Sequence, residues 1–141
     1  MEIARIEFEP FVDEATRRII VNGVDNHNIA ATSLLDYFPV NFVLRDERGD
    51  VLGGVLGHLW GGWLQVSHLW VVEAARSVGH GTRLLKKAEA YARLRGAVGA
   101  TLETHNFQAR PFYERLGYEV FSTLEGCPRG HVKFFLSKSL A

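Results

Sequence analysis

A single cysteine, Cys127, stands in a chain of 141 residues, so no intrachain disulfide framework is possible. Charge of one sign is also missing. Lysine plus arginine and aspartate plus glutamate both number 16, for a net charge of zero. No overall basic field therefore draws the chain to nucleic acid or to an anionic membrane. No charged-plus-apolar leader and no long apolar run is found, and the expectation is a soluble cytoplasmic protein. Internal repeats and low-complexity tracts are absent too. So is any G-x-x-x-x-G-K-[ST] sequence, and the one glycine-bearing loop of interest lacks the third glycine of a dinucleotide fingerprint. Nucleotide hydrolases and dinucleotide-dependent dehydrogenases are disfavoured, and no metal site is expected. At this length one core forms without staples, so residues 1–141 are read as one domain.

What is present begins with Arg76-Ser77-Val78-Gly79-His80-Gly81, between the apolar run Leu69–Val72 and an amphipathic helix expected from about Thr82. The first N–H groups of a helix have no intrahelical partners, and the macrodipole adds partial positive charge, so such a turn suits an anion. Gly79 and Gly81 are expected to admit positive φ and close approach of a ligand, with Arg76 adding a charge-assisted contact.

The second pattern is Asn106-Phe107-Gln108-Ala109-Arg110-Pro111-Phe112-Tyr113-Glu114-Arg115-Leu116-Gly117-Tyr118. Together the two patterns resemble the GNAT superfamily of N-acetyltransferases, over about Trp63 to Leu136. There a Q/R-x-x-G-x-G/A loop binds the pyrophosphate of acetyl-CoA, and an N-x-x-A-x-x-[LF]-Y-E-[KR]-x-G-[FY] segment follows one helix and one strand later. The resemblance implies an α/β (α+β) fold: a central mixed, mostly antiparallel sheet with a splayed strand pair, flanked by helices. It implies acetyl-CoA as cosubstrate, a small-molecule or peptide amine as acceptor, and a possible homodimer. It carries cofactor contacts to Trp70, Val71 and Val72 on the strand. In the loop it carries them to Arg76, Ser77, Val78, Gly79, His80, Gly81 and Thr82, and in the later segment to Asn106, Ala109, Phe112 and Tyr113.

Along the chain, Ile3 to Phe8 alternates like an opening strand, and Asp13 to Asn22 reads as a helix. Asp25 to Pro39, with its asparagines, aspartates and His27, is expected to be loop and short helix around a pocket. Asn41–Arg45 and Val51–Trp60 read as strands about a turn at Gly49. Gly53, Gly54 and Gly57 inside the second mark bulges, ligand approach or tight helix packing. Gly61-Gly62 is a hairpin turn leading to a strand over Trp63–Val72. The following helix places Leu84, Leu85, Ala88, Tyr91 and Ala92 on one stripe and ends at Gly96. A strand over Ala100–Thr104, a helix over Gln108–Leu116 and an antiparallel pair, Tyr118–Leu124 with His131–Leu136, complete it. Trp70 and Phe107 are expected to have core side chains.

Acetyl transfer to an amine needs a base for the ammonium proton and an acid for the leaving thiolate. The resemblance assigns the acid to Tyr113, whose other reading is a packed aromatic of its helix. Asn106 is open between a cofactor contact and a helix N-cap. Many relatives carry the base at positions occupied here by Gln65 and Ser67, which cannot serve. His68 faces the wrong side of a regular strand, and a bulge would turn it inward. Glu103 and His105, on one face of the next strand, are further candidates, and solvent is another. Ser77 and Val78 replace a glycine and a basic residue common in relatives, which weakens phosphate contacts worth about 0.3–1 kcal/mol each. His27, Asp36, Tyr37, Trp60 and the Cys127–His131 loop either shape an acceptor pocket or are plain surface. Two functions of different class remain: an acetyl-CoA-dependent N-acetyltransferase, and a non-catalytic acyl-CoA-binding module.

Overall fold

The computed structural model describes residues 4–141, in two units: one up to Leu35, the other Asp36–Ala141. The first unit contains helix α1 (Glu14–Thr32). Asp13 caps it, accepting the Thr16 N–H at 2.7 Å, and that hydrogen bond holds the Asp13 carboxyl below its ordinary range. Ser33 ends it in a left-handed conformation, φ 61°, donating its N–H to the Ile29 carbonyl at 2.7 Å. The helix therefore continues through Asp25–Thr32, where the sequence suggested loop and short helix. Gly23 does not break it because an isolated helical glycine costs only about 1 kcal/mol relative to alanine, and no proline intervenes before Pro39. The expected opening strand is absent over residues 4–8, which join no ladder, and Ile3 lies outside the described residues. Alternation without a pairing partner does not make a strand.

The second unit is built on β1 (Phe38–Arg45), β2 (Val51–Trp60), β3 (Trp63–Val71), β4 (Gly99–His105), β5 (Glu119–Glu125) and β6 (Val132–Ser139). Their spatial order is β1-β2-β3-β4-β6-β5, with β3 and β4 parallel and every other neighbour antiparallel. The last strand thus inserts between β4 and β5. Gly61 and Gly62 turn β2 into β3 with φ of 60° and 82°, the two positive values that a twisted two-residue hairpin needs.

Helix α2 (His80–Leu94) crosses β1, β2 and β3. Its Leu84, Leu85, Ala88 and Ala92 join Val55, Leu59, Leu64 and Val66 in one buried core. Each fully buried leucine or valine contributes about 1.5–3 kcal/mol. Tyr91 is only half-buried and meets Phe42 edge-on at 6.2 Å. Helix α3 (Arg110–Arg115) is one and a half turns long, and Gly117, φ 97°, stops the chain behind it.

Gly57 of β2 stands at a shift in the register with β3, one of the bulges that the glycines suggested. A Cβ on Gly53 would lie 2.5 Å from the Trp70 carbonyl oxygen, and one on Gly57 2.5 Å from that of Gln65. They let the backbone of β3 come close. At Gly23 nothing lies within 4 Å of an added Cβ. Opposite signs are expected for the same substitution: Gly53→Ala should lower global stability by about 1–3 kcal/mol. Gly23→Ala should stabilise α1 by about 1 kcal/mol, slowing exchange of its amides about fivefold. Denaturant titration measures the first and hydrogen exchange the second.

Candidate active site

Everything at the site follows from a fault in the β2–β3 ladder. Leu56 faces His68, but Gly57 faces Val66, so Ser67 is an extra residue in β3. Its hydroxyl donates to the Leu56 carbonyl at 3.0 Å. Leu64 and Val66 are buried before the bulge, Leu69 half-buried and Val71 buried after it. The shift of one residue keeps apolar side chains on the α2 face despite the changed parity.

Beyond the bulge β3 leaves its other neighbour. It pairs with β4 only over Trp63–Val66 against Gly99–Leu102, while β4 stays paired to β6 as far as His105. The parted strands enclose a groove of about 280 Å³. Ser67, His68 and Trp70 line it from β3, Glu103 and Thr104 from β4, and Tyr113 from α3. The bulge does for His68 what a regular strand would not: it lines the groove, its Nδ1 3.1 Å from the Ser67 hydroxyl. Trp70 lines the groove with 54% of its surface exposed, and Phe107 is 55% exposed; neither is the core side chain expected. On a strand beside an open wedge and on a loop, an aromatic finds no second layer to cover it.

Tyr113 is 8% exposed. Burial raises its phenol above the ordinary value of 10.0, so the hydroxyl keeps its proton throughout the neutral range. The turn that delivers it is held by Thr104 and Gln108, which sequence reasoning passed over. The buried Thr104 hydroxyl donates to Gln108 Oε1 and accepts the Ala109 N–H, both at 3.3 Å. Gln108 Oε1 also takes the His105 N–H at 2.8 Å. The available signal was strand alternation, which puts Thr104 on the inner side with Leu102, where a hydroxyl requires partners.

The other candidates divide. Glu103 lines the groove and pairs with Lys133 Nζ at 3.0 Å. His105 shares its strand face but lies outside the lining, near Gln108 Oε1 and stacked on Phe107 at 5.2 Å. Asn106 is not the cap of α3, which is Ala109. Its Oδ1 accepts the Val132 N–H at 2.9 Å, and its own N–H donates to the Val132 carbonyl, clipping the turn to β6. Tyr37 stacks on His58, and neither Tyr37 nor Trp60 lines the groove.

At the end of β3 the chain passes a 3-10 turn, Glu73–Ala75, and Arg76 folds back, its Nε donating to the Val71 carbonyl at 2.8 Å. The Val72 N–H is engaged by the Leu52 carbonyl. Gly79 caps α2 at φ 88° with nothing within 4 Å of an added Cβ. The first N–H bonded within the helix is that of Arg83, to the Gly79 carbonyl at 3.0 Å, which leaves those of His80, Gly81 and Thr82 ahead of it. Open space above unpaired donors fits a pyrophosphate. Only Gly79 needs positive φ. Gly81 is helical, and a Cβ there would sit 3.4 Å from Phe112 Cζ, so this position joins α2 to α3. Ser77 is also left-handed, φ 67°, an uncommon state for a residue with a side chain.

Burial also drives the Tyr118 phenol upward, reinforced by its hydrogen bond to Glu89. Both phenols hold their protons longer in the folded than in the unfolded chain. Their stabilisation is present below the unfolded value near 10.0 and is lost as pH rises through the folded values. Denaturation midpoints should therefore be flat through neutral pH and fall above about pH 10, with a smaller fall in Tyr113→Phe. Guanidinium titrations at neutral pH and at about pH 11 check this.

Residues 3–118 match the family model described as Acetyltransferase (GNAT) family. The chain is 34% identical over 126 residues to acetyltransferase Atu2258 of Agrobacterium fabrum, covering 89% of this chain and 92% of that one. It is 43% identical over 95 residues to blasticidin-S acetyltransferase of Streptomyces morookaense, 67% of this chain and 70% of the relative. A crystal structure of an acetyltransferase from Bacillus cereus superposes with a TM-score of 0.80 at 29% identity, covering 94% and 97% of the two chains. Complexes with acetyl-CoA and with coenzyme A occur among solved proteins of this fold.

Proposed function

This chain belongs to the GNAT acetyltransferase family, whose cosubstrate is acetyl-CoA, and we propose that it acetylates a primary amine of a basic small molecule as one acetyltransferase domain. The observation that carries the reading is the groove between parted β3 and β4, with the protonated Tyr113 phenol in its wall and free helix donors at the end of β3. Similarity to a blasticidin-S acetyltransferase supports a small molecule over a peptide as acceptor.

Acetyl-CoA brings an activated acyl thioester, so this chain has only to place an amine and manage two protons. The N–H groups of His80, Gly81 and Thr82 hold the pyrophosphate, and Arg76 keeps the loop folded on the strand end. The edge that β3 exposes past Val66 receives the pantetheine arm through main-chain groups. His68 takes the proton of the incoming ammonium; its Nδ1 is turned to Ser67, which leaves Nε2 for the work. Glu103, across the groove, steadies the ammonium before transfer, its own charge shared with Lys133. The Tyr113 hydroxyl supplies the proton that the departing sulfur needs. A phenol kept neutral by burial suits that task, because general acids work in their protonated form.

A thiol-release assay with acetyl-CoA and a panel of amines, including blasticidin S and a peptide amine, tests this directly. Turnover on at least one is expected; binding of acetyl-CoA without turnover on any would make the chain an acyl-CoA-binding module instead. Tyr113→Phe should keep KM for acetyl-CoA and lower kcat by about 10²–10⁴-fold.

Gly81→Asp places a carboxylate at the helix N-terminus where the pyrophosphate is proposed to sit, so calorimetry should record loss of acetyl-CoA binding. In His68→Gln the rising limb of the kcat/KM pH profile should move to that of the acceptor itself, near pH 10 for an alkyl amine. An unmoved limb would assign the base to solvent.

A further inference from the structure

Behind the groove lies a buried polar group for which the chemistry so far has no use. Glu89 of α2 is 2% exposed and Tyr118 1% exposed. The Tyr118 hydroxyl donates to Glu89 Oε2 at 2.7 Å, and Lys138 Nζ of β6 donates to Oε1 at 3.0 Å and to Oε2 at 3.2 Å. A buried ion pair is weak evidence for stability, since well-packed apolar side chains of similar volume commonly do as well or better. A phenylalanine at 118 and a leucine at 89 would fill this core. What the hydroxyl and carboxylate add is a fixed position and rotation for the Tyr118 ring.

That ring meets the ring of Tyr113 edge to face, centroids 6.0 Å apart and planes at 72°. The Tyr118 N–H also donates to the Tyr113 carbonyl at 3.1 Å. On the other side Phe112 meets Tyr113 at 5.2 Å and 73°. Helix α3 has six residues, too few to hold a direction by its own hydrogen bonds. Its orientation therefore comes from what packs against it. We propose that Tyr118, locked by Glu89 and Lys138, is a positioning residue that holds the Tyr113 hydroxyl at the groove. This rests on Tyr113 being the general acid.

The experiment is a double-mutant cycle in kcat, with KM for acetyl-CoA and the melting temperature recorded for each variant. Tyr118→Phe keeps the ring and removes the lock; its kcat should fall about 5- to 50-fold with KM unchanged, part of the roughly 10²–10⁴-fold that an acid supplies. In the Tyr113→Phe background the same change should cost less than about twofold, because there is no longer a hydroxyl to place. Glu89→Gln retains an oxygen for the Tyr118 hydroxyl and should stay within about threefold of the parent, whereas Glu89→Leu should fall like Tyr118→Phe. This second pair decides the matter should Tyr118→Phe fail to fold. Equal losses in both Tyr113 backgrounds, or a Glu89→Leu enzyme with parental kcat, would overturn the positioning role. A Tyr113→Phe enzyme with parental kcat would instead overturn the acid assignment, and with it the premise.

Discussion

The parting of β3 from β4 is the constraint on which the site depends. A parallel pair needs both strands in register, and β3 turns away at the extra residue Ser67 while β4 runs on, held by β6 on its other edge. After four paired residues the ladder has nowhere to continue. The result is an open edge of main chain inside a folded sheet, a feature that elsewhere invites aggregation and here faces a groove. The bulge also decides which side chains look into that space. Without it Leu69 and Val71 would leave the α2 face.

The two ends of the groove are closed by different physics. At the β3 end the unpaired N–H groups of α2 provide partial positive charge, and the left-handed Gly79 leaves the space above them open. At the β4 end the work falls to a turn stitched by Thr104, Gln108 and Asn106, each with its oxygen already in use within the protein. A Cβ added at Gly81 would sit 3.4 Å from Phe112 Cζ, so the start of α2 lies close to the short helix carrying Tyr113.

Sequence patterns led to most elements of the second unit because periodicity and turn chemistry there agree. The two positive-φ glycines at 61 and 62, the apolar stripe Leu84, Leu85, Ala88, Ala92, and Gly117 behind α3 are all local signals. In the first unit they found the start of α1 at Asp13 but ended it at Asn22, because polar residues and Gly23 inside the helix imitate a loop. Asp25 to Thr32 contains no residue that forbids a helix, and α1 runs on to Thr32. Trp70 and Phe107 misled in the opposite direction. Large aromatics are usually buried, and here one lines an open wedge and the other stacks on His105 at the surface.

The sequence by itself determined the glycine-bearing turn before α2, the tyrosine-bearing segment and the family, because those depend on residues close together in the chain. Tertiary structure alone decided three things. It inserted β6 between β4 and β5, which keeps β4 in the sheet after β3 has left it. It placed Ser67 as the unpaired residue that brings His68 to the lining and leaves His105 out of it. It gathered Glu89 of α2, Tyr118 just before β5 and Lys138 of β6 behind Tyr113. The reason is common to all three: ladder register and the partner of a buried charge are settled between segments tens of residues apart, where no local spacing records which of several pairings is lowest in free energy.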